Sequence, residues 1–386
     1  MDEALAGLEP GLDPVRCLAQ LRRVFPPELA REGARLHSLR ERCKSRLGKD
    51  LLPFLRDPGH QQVSAPRIAE HRAARISALT PHSHIWDSTC GLGMESLHLG
   101  LAGHGVVSTD LDAETLQFAA ANLRHHGLRP WTVRANALES GIRAPHVLID
   151  PDRRPGGFRT LNPDAWSPTL SQTLALLARH QAGVAKLPPG MDVPGDWDRT
   201  YALHWISLEG QLLECTLWTG AWAPSPGRTA VLLGKDGRHF EFTDSPQSTT
   251  ALTAEGARSI SFLADPDPSI VRAGLLGRLA AGQGLQPLAE KLGYLGGEHP
   301  PTSHFLTGYR VLASCALDRK KVRRMLAEHD VGPIQVRMRG HDEPAETLER
   351  KLKGPGRHRG MLAIARLDGG RWVYLIEPEP RPSDPD

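Results

Sequence analysis

The chain has 386 residues and a formal net charge of +3, with 40% apolar and 24% charged residues, which is ordinary for a globular protein. This length predicts two or three domains at roughly 150 residues each. The five scattered cysteines form no CxxC pair, no apolar run approaches about 18 residues, and the acidic start carries no secretory pattern, so we expect a cytoplasmic protein with neither metal nor membrane span.

The first sixty residues have a helical pattern. Leu36, Leu39, Cys43 and Leu47 recur at spacings of three and four, which places them in one stripe along a helix. Ser64 is in the position of an N-cap for a further helix over residues 67–76.

From residue 84 onward, short apolar runs alternate with helical stretches. Such alternation predicts βαβ units and a parallel sheet covered on both faces. Two hairpins should then add antiparallel strands, one turning at Glu209-Gly210 and one at Lys235-Asp236-Gly237. The predicted strands cover 84–86, 105–109, 131–133, 147–149 and 183–186, and the predicted helices cover 94–102, 113–126 and 168–179.

A small α/β module follows a Ser/Thr-rich linker at 244–259. Its pattern is βαβαββ, and Asp318 is the expected cap of its first helix. The predicted strands cover 309–316, 333–338, 361–367 and 371–376, and the helices cover 319–329 and 345–352.

A glycine loop joins the first predicted strand to the following helix. The strand ends in Asp87, and Gly91 and Gly93 follow in a DxxxGxG pattern. Glycines there permit a close backbone approach to a ligand, and the helix N-terminus offers free N–H groups. A nicotinamide fingerprint would need a third glycine where Ser96 stands, which disfavours a dinucleotide oxidoreductase.

Acids also end the second and fourth strands. Asp110 lies 17 residues beyond Gly93, where a carboxylate can accept hydrogen bonds from the diol of a ribose; Asp112 is the competing candidate but is better placed as a helix cap. Asp150-Pro151 should lie in the crevice outside the carboxyl ends of the strands.

Together these segments resemble bacterial class I S-adenosylmethionine (SAM)-dependent methyltransferase-like proteins that carry a THUMP-like C-terminal domain. The segments that carry the resemblance are 64–73, Asp87–Gly93, Asp150–Arg154, 185–190, 265–274 and 337–341. It implies a Rossmann-like SAM-binding domain at 65–243 after a helical region at 1–64, a small ferredoxin-like insert at 260–305, and a THUMP-like domain at 306–380 that is expected to bind RNA. The cofactor set implied is Asp87 at the methionine end, Asn136 at the adenine edge, and Thr89, Cys90, Gly91, Gly93, Asp110 and Ala137.

The segment after the fourth strand resembles motif IV of nucleic-acid methyltransferases, and it limits the chemistry. It contains Asp150, Pro151, Asp152 and Arg153, with neither the second proline nor the aromatic residue typical of exocyclic-amine methylation. No cysteine stands near it to act as a nucleophile, which disfavours C5 methylation of pyrimidines. We therefore expect direct transfer, with Asp150 as orienter or proton acceptor and Arg153 on a phosphate.

Basic residues gather at both ends of the chain. Residues 16–46 hold nine Lys or Arg against three acids, and residues 318–360 hold twelve against seven. This distribution suits a long polyanion, so the favoured function is methylation of tRNA or rRNA. The alternatives are an RNA-binding protein with an inactive methyltransferase fold, and methylation of a small molecule. In the helix 319–329, Val322, Met325 and Leu326 should face inward, which leaves the basic residues on the outer side. Alternation over 333–339 should place Arg337 and Arg339 on that same side of the small sheet. The candidate RNA-binding residues are Arg319, Lys320, Arg323, Arg324, Arg337 and Arg339.

Overall fold

The computed structural model describes residues 8, 11–48, 51–57, 63–154, 158, 160–234, 237–290, 292–339, 343–367 and 369–380. They divide into two compact units, the first formed by residues 1–202 with 215–226 and the second by 203–214 with 227–386. Within the described part of the chain, no helix is long and apolar enough to cross a membrane.

The first unit begins with three helices, and each has proline in its first turn, where the missing N–H costs nothing. The predicted stripe on the second helix is confirmed, because Leu39, Cys43 and Leu47 are buried in one apolar cluster that Leu36 flanks. The prediction for Ser64 is wrong, since Ala65 is the N-cap and the Ser64 hydroxyl donates to Glu95 instead. The helices are α1 (Pro14–Leu21), α2 (Pro27–Leu47) and α3 (Pro66–Leu79).

The centre of this unit is the predicted parallel sheet. Its strands follow the order β3-β2-β1-β4-β5, and every neighbouring pair is parallel. The strands are β1 (His84–Asp87), β2 (Gly105–Asp110), β3 (Trp131–Arg134), β4 (His146–Ile149) and β5 (Ala182–Leu187). The helices between them are α4 (Met94–Leu101), α5 (Ala113–His125) and α6 (Leu170–Leu177).

The strand order reverses between β1 and β4, the neighbours at the middle of the sheet. Chain segments leaving these two strands turn to opposite sides, which opens a crevice at their carboxyl ends. Beyond β5 the sheet becomes antiparallel, because residues 215–220 of β7 (Gln211–Gly220) pair with β5 in that sense. The predicted α/β class with a parallel sheet and an antiparallel end is thus confirmed.

Hairpin strands open the second unit. Glu209 and Gly210, between β6 (Ala202–Leu208) and β7, have φ values of 55° and 78°, the left-handed pair that a two-residue hairpin turn requires. Strands β8 (Gly227–Leu233) and β9 (His239–Asp244) pair antiparallel as predicted, whereas Lys235 and Asp236 of their expected turn lie outside the described residues.

A seven-stranded sheet of order β11-β12-β10-β13-β16-β15-β14 forms the rest of the second unit. The segment 260–305, expected as an insert, contributes β10–β12 to this sheet. Its elements are α7 (Ala254–Arg258), β10 (Phe262–Pro266), α8 (Pro268–Arg272), α9 (Leu276–Gly282), β11 (Gln286–Pro287) and β12 (Leu295–Gly297). The predicted βαβαββ module follows as β13 (Leu306–Ala316), α10 (Arg319–Glu328), β14 (Val331–Arg339), α11 (Ala345–Leu352), β15 (His358–Leu367) and β16 (Gly370–Pro378).

The two faces of this sheet have different cores. On one face, α10 and α11 pack Val322, Leu326 and Leu348 against Val336 and the neighbouring strands. The opposite face is built on tyrosines, including Tyr294 and Tyr309. Alternate residues of β14 therefore point to different surroundings.

Candidate active site

A cavity of about 550 Å³ lies at the carboxyl ends of the parallel strands. We call it the strand-end cavity. Its volume is typical of sites for small molecules and cofactors. Its lining includes residues 88–92 after β1, 110–112 after β2, 135–138 after β3, 150–154 after β4, and Lys186 of β5.

The glycine loop forms one wall of this cavity. Gly91 and Gly93 have φ values of 52° and 88°, which side chains rarely tolerate, and a Cβ at Gly93 would lie 3.3 Å from that of Ala119. The Gly91 N–H donates to Asp110 Oδ2 at 3.1 Å, and the Cys90 N–H donates to the Thr109 carbonyl oxygen at 2.9 Å. The loop is thereby fastened to the end of β2.

Asp110 and Asp112 both line the cavity, but they are held differently. Each Asp110 oxygen accepts one backbone N–H, Oδ2 from Gly91 and Oδ1 from Asp112 at 3.0 Å, and retains a lone pair for a ligand hydroxyl. Asp112 caps α5 as predicted, accepts from the Glu114 N–H and forms an ion pair with Arg56. The assignment of Asp110 to a ribose stays a prediction with this geometry behind it.

Asp87, which was predicted to hold the methionine end of the cofactor, does not line the cavity. It is 0% exposed and lies beneath the cavity rather than in its wall, because the end of β1 directs its carboxylate toward α4. Its Oδ2 accepts from the Ser96 hydroxyl at 2.6 Å, and its buried Oδ1 has no hydrogen-bond partner among the described residues. Burial raises the pKa of Asp87 to about 7, although the Ser96 hydrogen bond opposes this.

The loop after β3 contributes Asn136 and Ala137 to the wall. The Asn136 side-chain oxygen accepts from the Leu138 N–H at 3.0 Å, so this residue shapes its own turn and lines the cavity as well. Its proposed contact with adenine remains a prediction.

The loop after β4 is anchored on both sides. The Asp150 N–H donates to Thr89 Oγ1 at 2.7 Å, which ties it to the glycine loop. Asp152 exchanges two backbone hydrogen bonds with Ser167, at 2.8 and 2.9 Å, and its side chain accepts from the Arg154 N–H. The backbone bridge is open to any residue, whereas the hydrogen bond to the Arg154 N–H uses the Asp152 carboxylate, so the acid at the third position of the motif helps to order its own loop.

That same bridge brings Trp166 into the cavity wall. Its indole N–H donates to the Thr160 carbonyl oxygen at 3.2 Å, which fixes the ring. The sequence Asp150–Arg153 contains no aromatic residue, but the cavity wall contains one from a later segment of the chain. The sequence pattern around Trp166 did not predict its place in the cavity wall, because that place depends on the backbone pairing between Asp152 and Ser167.

A buried charge network, which the sequence analysis missed, adjoins the cavity. Lys186 Nζ lies 2.5 Å from Asp150 Oδ2, 2.7 Å from Ser64 Oγ and 3.8 Å from Glu95 Oε1. Glu95 also pairs with Arg72, and although burial opposes it, these two cations lower the Glu95 pKa to about 2. A lysine inside the wholly buried strand Ala182–Leu187 was the available indication.

The candidate RNA-binding residues separate into two groups. Arg319, Lys320, Arg323 and Arg324 are exposed on α10, whose opposite side is buried as predicted. Arg337 and Arg339 do not extend this surface, contrary to the prediction that the basic residues share one side of the sheet. They lie on the tyrosine face, stack on Tyr309 and Tyr294, and pair with Asp265, at 2.6 Å for Arg339.

Some basic residues of α2 form hydrogen bonds within the protein. Arg40 Nε donates to the Pro53 carbonyl oxygen at 2.6 Å, and Arg46 donates to that of Val63 at 3.0 Å. These arginines fasten the loop after α2, so they offer less to a polyanion than their number suggests.

The chain is similar to known proteins along nearly its whole length. It is 30% identical over 356 residues to an uncharacterized S-adenosylmethionine-dependent methyltransferase of Mycobacterium tuberculosis, covering 89% of this chain and 95% of that protein. A protein with the same description from a second strain of that organism matches at the same identity and coverage. Residues 306–378 match the family described as THUMP domain-like.

A crystal structure of a candidate methyltransferase from Porphyromonas gingivalis W83 has the same fold. Its TM-score is 0.73 at 17% identity, and the superposition covers 98% of this chain and 99% of that chain. The predicted resemblance is confirmed, and the chain belongs to the family of SAM-dependent methyltransferases that end in a THUMP-like domain.

Proposed function

We propose that this protein methylates structured RNA, tRNA or rRNA, by direct transfer from SAM. The strand-end cavity suits the cofactor, since Asp110 keeps lone pairs for a ribose and the strained glycines bring backbone close to the ligand. Bound SAM supplies an electrophilic methyl group. The acceptor's lone pair forms a bond to that carbon, the carbon–sulfur bond breaks with its electrons on sulfur, and S-adenosylhomocysteine leaves.

Asp150 is the group best placed to serve the acceptor. Its side chain is 29% exposed at the end of β4, beside the point where the strand order reverses. Its carboxylate can accept a hydrogen bond from an acceptor N–H or O–H and take the proton as the new bond forms. Pro151 and Arg153 line the same wall, where Arg153 can contact a phosphate.

Transfer without a covalent intermediate is supported by the protonation state of the cysteine thiol in the cavity wall. Cys90 is the one cysteine among the described lining residues. Burial raises the pKa of its thiol well above the ordinary value, and the nearby Asp87 and Asp110 charges add to the effect. A thiol held protonated in this way is a poor nucleophile at neutral pH.

Because Trp166 lines the cavity, exocyclic amines of adenine and guanine are also methyl acceptors to test. Trp166 lines the same cavity as Asp150, and an aromatic residue in such a wall is what methylation of an exocyclic amine on a flipped base would use. The missing aromatic residue in Asp150–Arg153 therefore does not argue against adenine or guanine amines.

The observation that carries the RNA assignment is the exposed cationic face of α10. Five cations, Arg319, Lys320, Lys321, Arg323 and Arg324, are exposed in the first two turns of one helix, and within the described residues only Arg324 has an acidic partner, Glu328 at 3.7 Å. A row of cations on a rigid element suits a phosphate backbone, and the resulting affinity should fall steeply with salt.

Two measurements test the proposal. Total RNA from a strain lacking the gene should accept tritium from methyl-labelled SAM, and nucleoside mass spectrometry should then identify the product; failure to label any RNA contradicts the proposal. The variant R319A/R323A should weaken RNA binding and reduce the slope of log affinity against log salt by about one per lost phosphate contact. Arg310→Ala is the matched control, because Arg310 is also exposed but lies on β13 rather than on α10 and pairs with Glu379.

A further inference from the structure

Lys186 stands out among the buried charges of the described chain. It is the one charged residue of β5, and its side chain is 9% exposed. A buried ammonium is costly unless partners compensate it. Three groups from three other segments do so: Ser64 before α3, Glu95 in the first turn of α4, and Asp150 at the end of β4.

This network runs from the interior to the cavity. The side chains of Arg72 and Glu95 are 1% and 8% exposed, and Lys186 links them to Asp150 at 29%. The Ser64 hydroxyl accepts from Lys186 and donates to Glu95 at 2.8 Å, so it bridges the two charges. The inner members are fixed by burial, and the outermost member is the carboxylate that the proposed function uses.

The two oxygens of Asp150 are in different situations. Oδ2 accepts from Lys186 at 2.5 Å, whereas Oδ1 has no hydrogen-bond partner among the described residues. The backbone of the same residue is held by Thr89. With one oxygen and the main chain fixed, the other oxygen has a defined direction toward a ligand.

We infer that Lys186 is a positioning residue: its ammonium holds the Asp150 carboxylate so that one oxygen is presented to the methyl acceptor. This inference rests on the proposed function for its kinetic consequence. The acceptor's proton passes to Asp150 and then to solvent, and Lys186 neither gains nor loses a proton. Its contribution is orientation, on which methyl transfer depends because the acceptor lone pair must align behind the methyl group.

The kinetic test is a double-mutant cycle on steady-state methylation of RNA from the gene-deletion strain. Lys186→Met should lower kcat by about 10- to 100-fold, as loss of outer-shell support for a site residue typically does. The KM for RNA and the Kd for S-adenosylhomocysteine should change by less than about threefold, and Lys186→Arg should recover part of kcat.

The cycle separates positioning from a general structural effect. If Lys186 acts through Asp150, then K186M/D150N should be no slower than D150N alone, because groups that act as a unit are non-additive. Additive losses overturn the inference. Arg278→Met is the matched control, since Arg278 forms an exposed pair with Asp244, lies in neither basic segment and does not line the cavity, and it should behave as wild type.

Two further variants and one structure keep the test decisive. If K186M does not fold, Ser64→Ala removes the bridging hydroxyl without changing charge, and it should lower kcat with unchanged cofactor affinity. A crystal structure of K186M, or of Lys186→Gln where K186M does not fold, with S-adenosylhomocysteine should show the Asp150 carboxylate turned away from its wild-type direction; an unmoved carboxylate refutes the inference. This readout needs no RNA, so it decides the role of Lys186 even where wild-type protein labels no RNA.

Discussion

Replacing Asp110 by alanine tests the cofactor site at its best-defined carboxylate. In the free protein this side chain accepts the N–H groups of Gly91 and Asp112, at 3.1 and 3.0 Å, and retains lone pairs that face the strand-end cavity. The substitution would remove both of the proposed ribose contacts. It also releases the glycine loop from the end of β2.

The expected loss follows from the number of hydrogen bonds. Hydrogen bonds to a charged group contribute about 1.5 kcal/mol each at the lower end, so two contacts to a ribose diol give about 3 kcal/mol. At roughly 1.4 kcal/mol per decade, this is a loss of about 100-fold in SAM affinity. Asp110→Asn keeps a hydrogen-bond acceptor but loses the charge, so it should lie between wild type and the alanine variant.

Isothermal titration calorimetry with SAM and S-adenosylhomocysteine measures this directly. Asp112→Ala is the control, because it removes the α5 cap and the Arg56 pair; it should lower thermal stability with little change in SAM affinity. Unchanged affinity in D110A together with a large loss in D112A would show that the ribose binds Asp112, and the reasoning on strand-end acids would be wrong in that respect.

Four other substitutions have definite expectations. Asp150→Ala should lower methyl transfer at least 100-fold with SAM affinity nearly unchanged, whereas Asp152→Ala should do less because Asp152 holds the loop; equal transfer by D150A and wild type would move the proton acceptor elsewhere. Asp87→Asn should remove a pH dependence of the free energy of unfolding. Burial raises the Asp87 pKa from 3.8 to about 7, so between these two pH values the native state retains a proton that the unfolded state loses. In thermal melts, wild-type stability should therefore fall relative to that of D87N as the pH rises from 3.8 to about 7, and the two should run parallel at higher pH. Cys90→Ala should retain methyl transfer, and trapping of a covalent RNA adduct by wild type but not by C90A would contradict direct transfer.

Much of the fold could be predicted from the sequence because it depends on local periodicity. The alternation of short apolar runs with helical stretches specified β1 to β5, and the Glu209-Gly210 pair specified a hairpin turn. The acids Asp110 and Asp150 could be placed at one edge of the sheet, because parallel strands deliver their last side chains to the same side.

Other features depend on contacts between distant segments, and only the tertiary structure decided them. Lys186 meets Ser64 across 122 residues, and Trp166 reaches the cavity through a backbone pairing with the loop after β4. The position of Asp87 beneath the cavity follows from the direction of one side chain at a strand end, which periodicity does not fix.

The basic C-terminal module shows the same division. Its order of strands and helices followed from the sequence, and so did the buried side of α10. The separation of Arg337 and Arg339 from the cations of α10 required knowing which face of β14 the helices cover. Sequence period assigns side chains to alternate faces of a strand, but the elements that pack on each face determine which charges remain free for a ligand.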